Sequence, residues 1–281
     1  MNTSVLARSR VGRPQFADAD LAVHSLLTTR PSDAVDILLV NPPAPDGGIW
    51  IRSQHRVGRR SREGMVWPQV SLAQLAALFP DYRVQVVDAI AARMSWCEFE
   101  DLLRDRRPRY YVTQLAAPTL QNDMYGVFLA KSLGATTITF GTHVTPLPRG
   151  TMEPYPALDY ALRGEPELTL RELVDTLEEA ASSGTRAAAV SSPWSLLEPA
   201  FADRLRRLFA TTDPHWRPAW HDDAGPAPVL SGIKGLVWRT NGEIVINPDR
   251  PLIANLDDLP LPRHDLLPLA KYRAPMVRGA Y

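Results

Sequence analysis

The segment TITFGTHVTPLPRG, residues 137–150, places a glycine, a hydroxyl and an imidazole (Gly141, Thr142, His143) directly after an apolar, β-branched run. Comparable groups close the other apolar runs. Asn41 and Pro42 follow VDILLV, and Asp88 follows RVQVV. Thr113, Gln114 and Leu115 sit within RYYVTQLAAP, Thr119 just beyond it, Val144 after His143, and Gly164 and Glu165 after LDYALR. Amide, carboxylate and hydroxyl groups can hydrogen-bond the periphery of a ligand, and glycine lets a flat molecule approach the backbone. An imidazole can donate, accept or ligate. The plainer alternative is turn and cap chemistry. Asp88 would then cap the next segment, Thr119 would cap a helix, Thr113 would pack in its strand, and His143 would bond a neighbouring carbonyl.

These groups share one rim only if the runs before them are neighbouring parallel strands. The pattern supports this. Apolar runs at 35–43, 83–89, 109–118, 135–141 and 157–164 alternate with helical periodicity at 68–79, 95–108, 119–134 and 165–182. Thr119 is placed to cap the third of these helices and Gly134 to stop it. Strand–helix alternation over 35–183 predicts an α/β fold. It is an open, parallel, five-stranded sheet of flavodoxin-like or Rossmann-like type with helices on both faces. Ligands bind beyond the carboxyl ends of the strands in such sheets.

The remaining segments have other characters. Residues 1–34 read as an N-terminal arm. Residues 184–228 read as a helical insertion or linker, with a helix broken at Pro199 and a proline-rich loop. Residues 229–281 contain a β-hairpin around Thr240-Asn241-Gly242, then an extended strap rich in proline and leucine. The loop at 52–64 carries Arg52, Arg56, Arg59, Arg60 and Arg62. It could dock a carboxylate, a phosphate or an acidic partner, or simply be solvated.

Composition narrows the function. The 281 residues hold 31 Lys+Arg and 31 Asp+Glu, so the net charge is zero. A nucleic-acid partner is not expected. No apolar run has the length of a membrane span and no secretory leader is evident, which places the chain in the cytoplasm. The single cysteine, Cys97, can form no internal disulfide and cannot hold a metal cluster alone. No G-x-G-x-x-G or G-x-x-x-x-G-K-[ST] occurs. The histidines share no metal-ligand spacing, and HWRPAWHDD (215–223) reads as loop decoration.

The runs VNPP, VVDA, YVTQLAAPTLQND, FGTHVTPLP and LDYALRGEPELTLREL together resemble the cobalamin-binding domain of cobalamin-dependent radical S-adenosylmethionine enzymes. That group includes the anaerobic tetrapyrrole cyclases and various methylases. The hairpin GLVWRTNGEIVINP and the strap NLDDLPLPRHDLLPL resemble the segment joining that domain to its radical barrel. The resemblance covers most of 35–281. It implies a corrinoid (cobalamin) cofactor contacted by Asn41, Pro42, Asp88, Thr113, Gln114, Leu115, Thr119, Gly141, Thr142, His143, Val144, Gly164 and Glu165. Thr113-Gln114-Leu115 is similar to the S-x-L of cobalamin proteins, and Gly141-Thr142 to their paired glycines.

Two departures qualify what the resemblance implies. Where D-x-H-x-x-G would supply a lower cobalt ligand, the chain reads Asp88-Ala89-Ile90-Ala91-Ala92-Arg93. Isoleucine replaces the histidine and arginine the glycine. No residue is therefore assigned as a metal ligand, and His143 is the imidazole placed to approach cobalt or a corrin amide. No C-x-x-x-C-x-x-C is present either, so no catalytic residue is assigned. An iron–sulfur cluster and S-adenosylmethionine are expected only if a radical domain follows. The expected role is to present cobalt to a radical barrel, in cis or in trans, for methyl transfer or radical chemistry on a small hydrophobic substrate. A free-standing cobalamin sensor or carrier without catalysis, and a scaffold that binds no corrin, are the alternatives.

Overall fold

The computed structural model describes residues 34–52, 59–61, 64–183, 194, 197–217 and 230–273. The expected arm at 1–34 therefore lies almost wholly outside the described residues, as do Arg56, Arg62 and most of the proline-rich loop.

All five expected parallel strands form: β1 (Ile37–Asn41), then, past a short antiparallel pair β2 (Trp50–Ile51) and β3 (Arg59–Arg60), β4 (Val84–Asp88), β5 (Tyr110–Gln114), β6 (Thr136–Phe140) and β7 (Tyr160–Leu162). Between them run α1 (Val70–Ala76), α2 (Ala89–Ala92), α3 (Trp96–Arg106), α4 (Leu120–Ser132) and α5 (Pro148–Met152), and after them α6 (Pro166–Ser183) and α7 (Pro199–Thr212). The hairpin strands are β8 (Leu236–Thr240) and β9 (Glu243–Ile246). The sheet order is β4-β1-β5-β6-β7-β8-β9. Neighbours from β4 to β7 are parallel, while β8 and β9 join antiparallel.

Alternation along each strand feeds two cores. Ile37, Leu39, Val112, Ile138 and Phe140 pack with α1, α6 and α7 on one face. Leu38, Val40 and Tyr111 pack with α3 and α4 on the other. A strand buried on both faces needs apolar residues at successive positions, which is what ILLV supplies.

The local chemistry is legible. Ser95 and Glu98 form a reciprocal capping box at the start of α3. Asn241 (φ 49°) and Gly242 (φ 81°) make the left-handed turn of the hairpin. One expectation needs correction. Pro199 does not break a helix: it occupies the first turn of α7, where its missing N–H costs nothing. The expected hairpin forms and extends the sheet at β7, pairing Tyr160 with Trp238, Ala161 with Val237 and Leu162 with Leu236.

A buried ionic cluster attaches α7 and the strap to α6. Arg171 is fully buried and bonds Asp81 at 2.7 Å and Asp175 at 2.8 Å. Glu172 pairs with Arg250 of the strap and accepts from Trp216 Nε1 at 2.9 Å. None of the described helices is long and apolar enough to cross a membrane.

Candidate functional site

Because β4 and β5 flank β1 on opposite sides, the chain leaves β1 at the topological switch point of the sheet, where a crevice opens beyond the carboxyl ends. That crevice is filled by Arg52, whose side chain is only 1% exposed. Nη1 donates to Asn41 Oδ1 (3.1 Å) and to the Pro42 carbonyl (2.9 Å). Nη2 donates to the Pro43 carbonyl (3.3 Å) and pairs with Asp123 at 2.7 Å, and Nε donates to Thr119 Oγ1 at 3.2 Å. The consecutive prolines end β1 and leave carbonyls facing the crevice, and a planar five-donor guanidinium can satisfy several of them at once.

Asn41, Asp88 and Thr119 thus belong to one internal network. Asn41 Nδ2 donates to Asp88 Oδ1 at 2.8 Å, and the same oxygen accepts the Ala91 N–H at 3.0 Å, capping α2. Thr119 Oγ1 donates to Asp123 Oδ2 at 2.7 Å and makes no cap bond to the backbone of α4, which corrects its expected role as a capping hydroxyl. Burial pushes the carboxyls of Asp88 and Asp123 up, against the opposing pull of their hydrogen bonds and of Arg52.

A strap residue lies over this network. Tyr272 is fully buried, and burial together with the Asp88 charge raises its phenol. Its hydroxyl is close enough to Asp88 for each to influence the other's protonation. Yet neither the hydroxyl nor Asp88 Oδ2 completes a hydrogen bond of ordinary geometry.

The ends of β5 and β6 are also closed. Thr113 is fully buried and donates to the Val40 carbonyl at 3.0 Å, which is strand packing. Leu115 and Val144 have no exposed surface, and Gln114 has little. Gly141 adopts φ +122°, and a Cβ there would lie 2.7 Å from the Leu115 carbonyl oxygen and 3.1 Å from Gln114 Cγ. The glycine is therefore required by the close approach of β6 to the end of β5, rather than by room for a ligand.

The turn beyond Gly141 is open. Thr142 is exposed, and His143 is partly buried with an imidazole that bonds no described residue. The expected turn histidine bonded to a neighbouring carbonyl is absent. Thr145 Oγ1 accepts the Gly164 N–H at 3.0 Å and links this turn to the end of β7.

At β7, Arg163 and Glu165 both make contacts with the strap. Arg163 pairs with Asp249 at 2.5 Å, and Glu165 Oε2 accepts the Ile253 N–H at 2.6 Å. Beside them stands Glu167, which sequence reasoning did not single out. Its Oε2 is buried without a partner, and burial, aided by the Glu165 charge, pushes its carboxyl up to about 7.

The expected residues therefore separate into two groups. Asn41, Pro42, Asp88, Thr113, Leu115 and Thr119 are engaged internally, whereas Thr142, His143 and Gly164 lie on an accessible turn. Asp123, Tyr272 and Glu167 are additions, and Arg52, expected to dock an anion or be solvated, is instead buried in the internal network. Among the additions, only Asp123 was hinted at in the sequence, by the Thr119-x-x-x-Asp123 spacing of one helical turn.

The chain is 29% identical over 215 residues to a protein of Pyrococcus horikoshii named as an uncharacterized methyltransferase. The match takes in 75% of the chain and spans 36% of that relative's length. No family model matches the chain.

Proposed function

We propose that the chain is the corrinoid-binding module of a methyl-transfer enzyme, presenting the corrin on the open side of the β6 turn. The observation that carries this reading is His143: a partly buried imidazole with no bond among the described residues, next to the exposed Thr142 hydroxyl, at the carboxyl end of an interior parallel strand. The name of the Pyrococcus relative supports the methyl-transfer part, and the resemblance of the rim segments to cobalamin-binding domains supports the corrinoid part.

The residues fit the edge of a corrin ring and do not fit a buried nucleotide tail. Thr113, Leu115 and Val144 are fully buried at the ends of β5 and β6, and the Ile90 side chain is buried where a lower-face histidine would be needed. When bound, a corrinoid supplies a cobalt that carries a methyl group. Thr142 would hydrogen-bond a ring amide. His143 would contact the ring from the side left free by the turn, with Thr145 and Gly164 holding the turn in place.

The strap provides a face for the rest of the enzyme. Leu252, Leu256 and Leu261 are 72%, 63% and 86% exposed, a poor arrangement unless another surface covers them. The partner of this reading is a radical S-adenosylmethionine barrel, in cis or in trans, with the cluster and S-adenosylmethionine belonging to that partner. Its substrate would be a small hydrophobic molecule. A second reading, a scaffold that binds no corrin, is favoured by the closed slot between β5 and β6.

Thr142→Trp separates them. The position is exposed, so the variant folds, but the indole covers the turn. Corrinoid uptake seen in the wild type and lost in this variant supports the site. Unchanged uptake in the variant removes the turn from it.

A further inference from the structure

Next to Tyr272, the strap encloses a pocket of about 340 Å³ against α2 and the segment around Val66. The strap is held there by a two-bond antiparallel bridge: the Val66 and Arg273 N–H groups each donate to the other's carbonyl at 3.0 Å. Three cations line the pocket: Arg93, Lys271 and Arg273. Arg93 sits just past α2 in the left-handed conformation, φ 53°.

Several other surface arginines are matched to carboxylates: Arg104 to Glu100, Arg109 to Glu178, Arg206 to Asp203 and Arg263 to Asp265. Arg93, Lys271 and Arg273 have no side-chain hydrogen bond or ion pair among the described residues, and no described carboxylate lines the pocket. Three like charges around one concavity repel, and a bound anion relieves the repulsion. Two guanidinium forks and one ammonium match the oxygens of a phosphate monoester better than a single carboxylate, which offers only two. The remaining floor is apolar and small (Ala91, Ala92, Val66), with space for a compact organic body behind the phosphate.

We propose that this pocket binds the phosphate group of a soluble phosphorylated small molecule, through Arg93, Lys271 and Arg273. The site is separate from the β6 turn and independent of the corrinoid reading. The strap contributes two of the three cations, Lys271 and Arg273.

The test is a titration of the full chain with inorganic phosphate, followed by the ³¹P line width at ionic strength held constant with sodium chloride. Saturable binding is expected, weakened at least tenfold in Arg93→Gln/Arg273→Gln and unchanged in the surface control Arg104→Gln/Arg206→Gln. If the double variant loses its circular dichroism spectrum, Arg93→Gln alone, which leaves the strap bridge intact, should still weaken binding severalfold. Non-saturable binding by the wild type, or equal weakening by the control pair, would overturn the proposal.

Discussion

Replacing Arg52 by methionine is the most informative perturbation of the crevice. The substitution keeps an unbranched apolar stem and removes the guanidinium. It deletes an ion pair of 2.7 Å between groups that are 1% and 0% exposed, and four further hydrogen bonds. Among the described residues Asp123 would keep Thr119 Oγ1 and a longer bond from Asn122, and the Pro42 carbonyl would lose its guanidinium donor. Removing one member of a buried pair costs about 3–5 kcal/mol, chiefly because the other charge stays buried. For a chain of this size each kcal/mol shifts Tm by roughly 2–4 °C, so a loss on the order of 10 °C is expected. The deficit depends on pH. Burial already raises Asp123 above its ordinary value, and without Arg52 it rises further. The folded state then binds more protons than the unfolded state above the ordinary aspartate range, so stability falls as pH rises and the deficit shrinks on acidification. Urea titrations at pH 5 and pH 7 measure both effects. Arg52→Met/Asp123→Leu should recover most of the loss, since no charge remains buried. A single variant within about 1 kcal/mol of wild type, or a double variant as unstable as the sum of the singles, would refute the reasoning.

Other outcomes follow from the same rim. Gly141→Ala, with φ +122° and a contact of 2.7 Å to backbone, should destabilise by about 2–4 kcal/mol in urea titrations. Because Gly141 is needed by the fold, its variants cannot report on ligand space. Glu167, raised to about 7 by burial, binds its proton in the folded state between its ordinary value and 7. Its contribution to stability is therefore lost as pH rises through 7, and Glu167→Gln should be the more stable form at pH 8 but not at pH 4.5. An equal difference at both pH values would contradict this. Asp88 is likewise raised by burial, so Asp88→Asn should flatten the pH dependence of stability above the ordinary carboxylate range, as read by thermal melts across pH.

The sheet was readable because the parallel strands are short apolar runs closed or soon followed by a proline, an acid or a glycine, and that pattern needs no tertiary information. Asn241-Gly242 announced the hairpin equally well. Its place at the edge of β7 was not readable, because edge pairing depends on which strand the crossovers leave uncovered. Pro199 misled because a proline that begins a helix and one that breaks it look alike without the preceding chain direction. The rim was harder still. Arg52 stands in an arginine-rich loop and reads as solvated, yet its partners Asn41, Thr119 and Asp123 converge only after β1 and α4 pack together. Tyr272 reaches Asp88 from the far end of the chain. Residues at strand ends were thus correctly located on one rim, while the division between internal network and open turn was a property of packing.

Retention of hydroxocobalamin on gel filtration tests the central claim most directly. After incubation with the wild-type chain, about one corrinoid per chain should co-elute with protein, with a visible spectrum shifted from the free cofactor and altered again in His143→Ala. Protein that elutes colourless while retaining its folded spectrum would contradict the assignment.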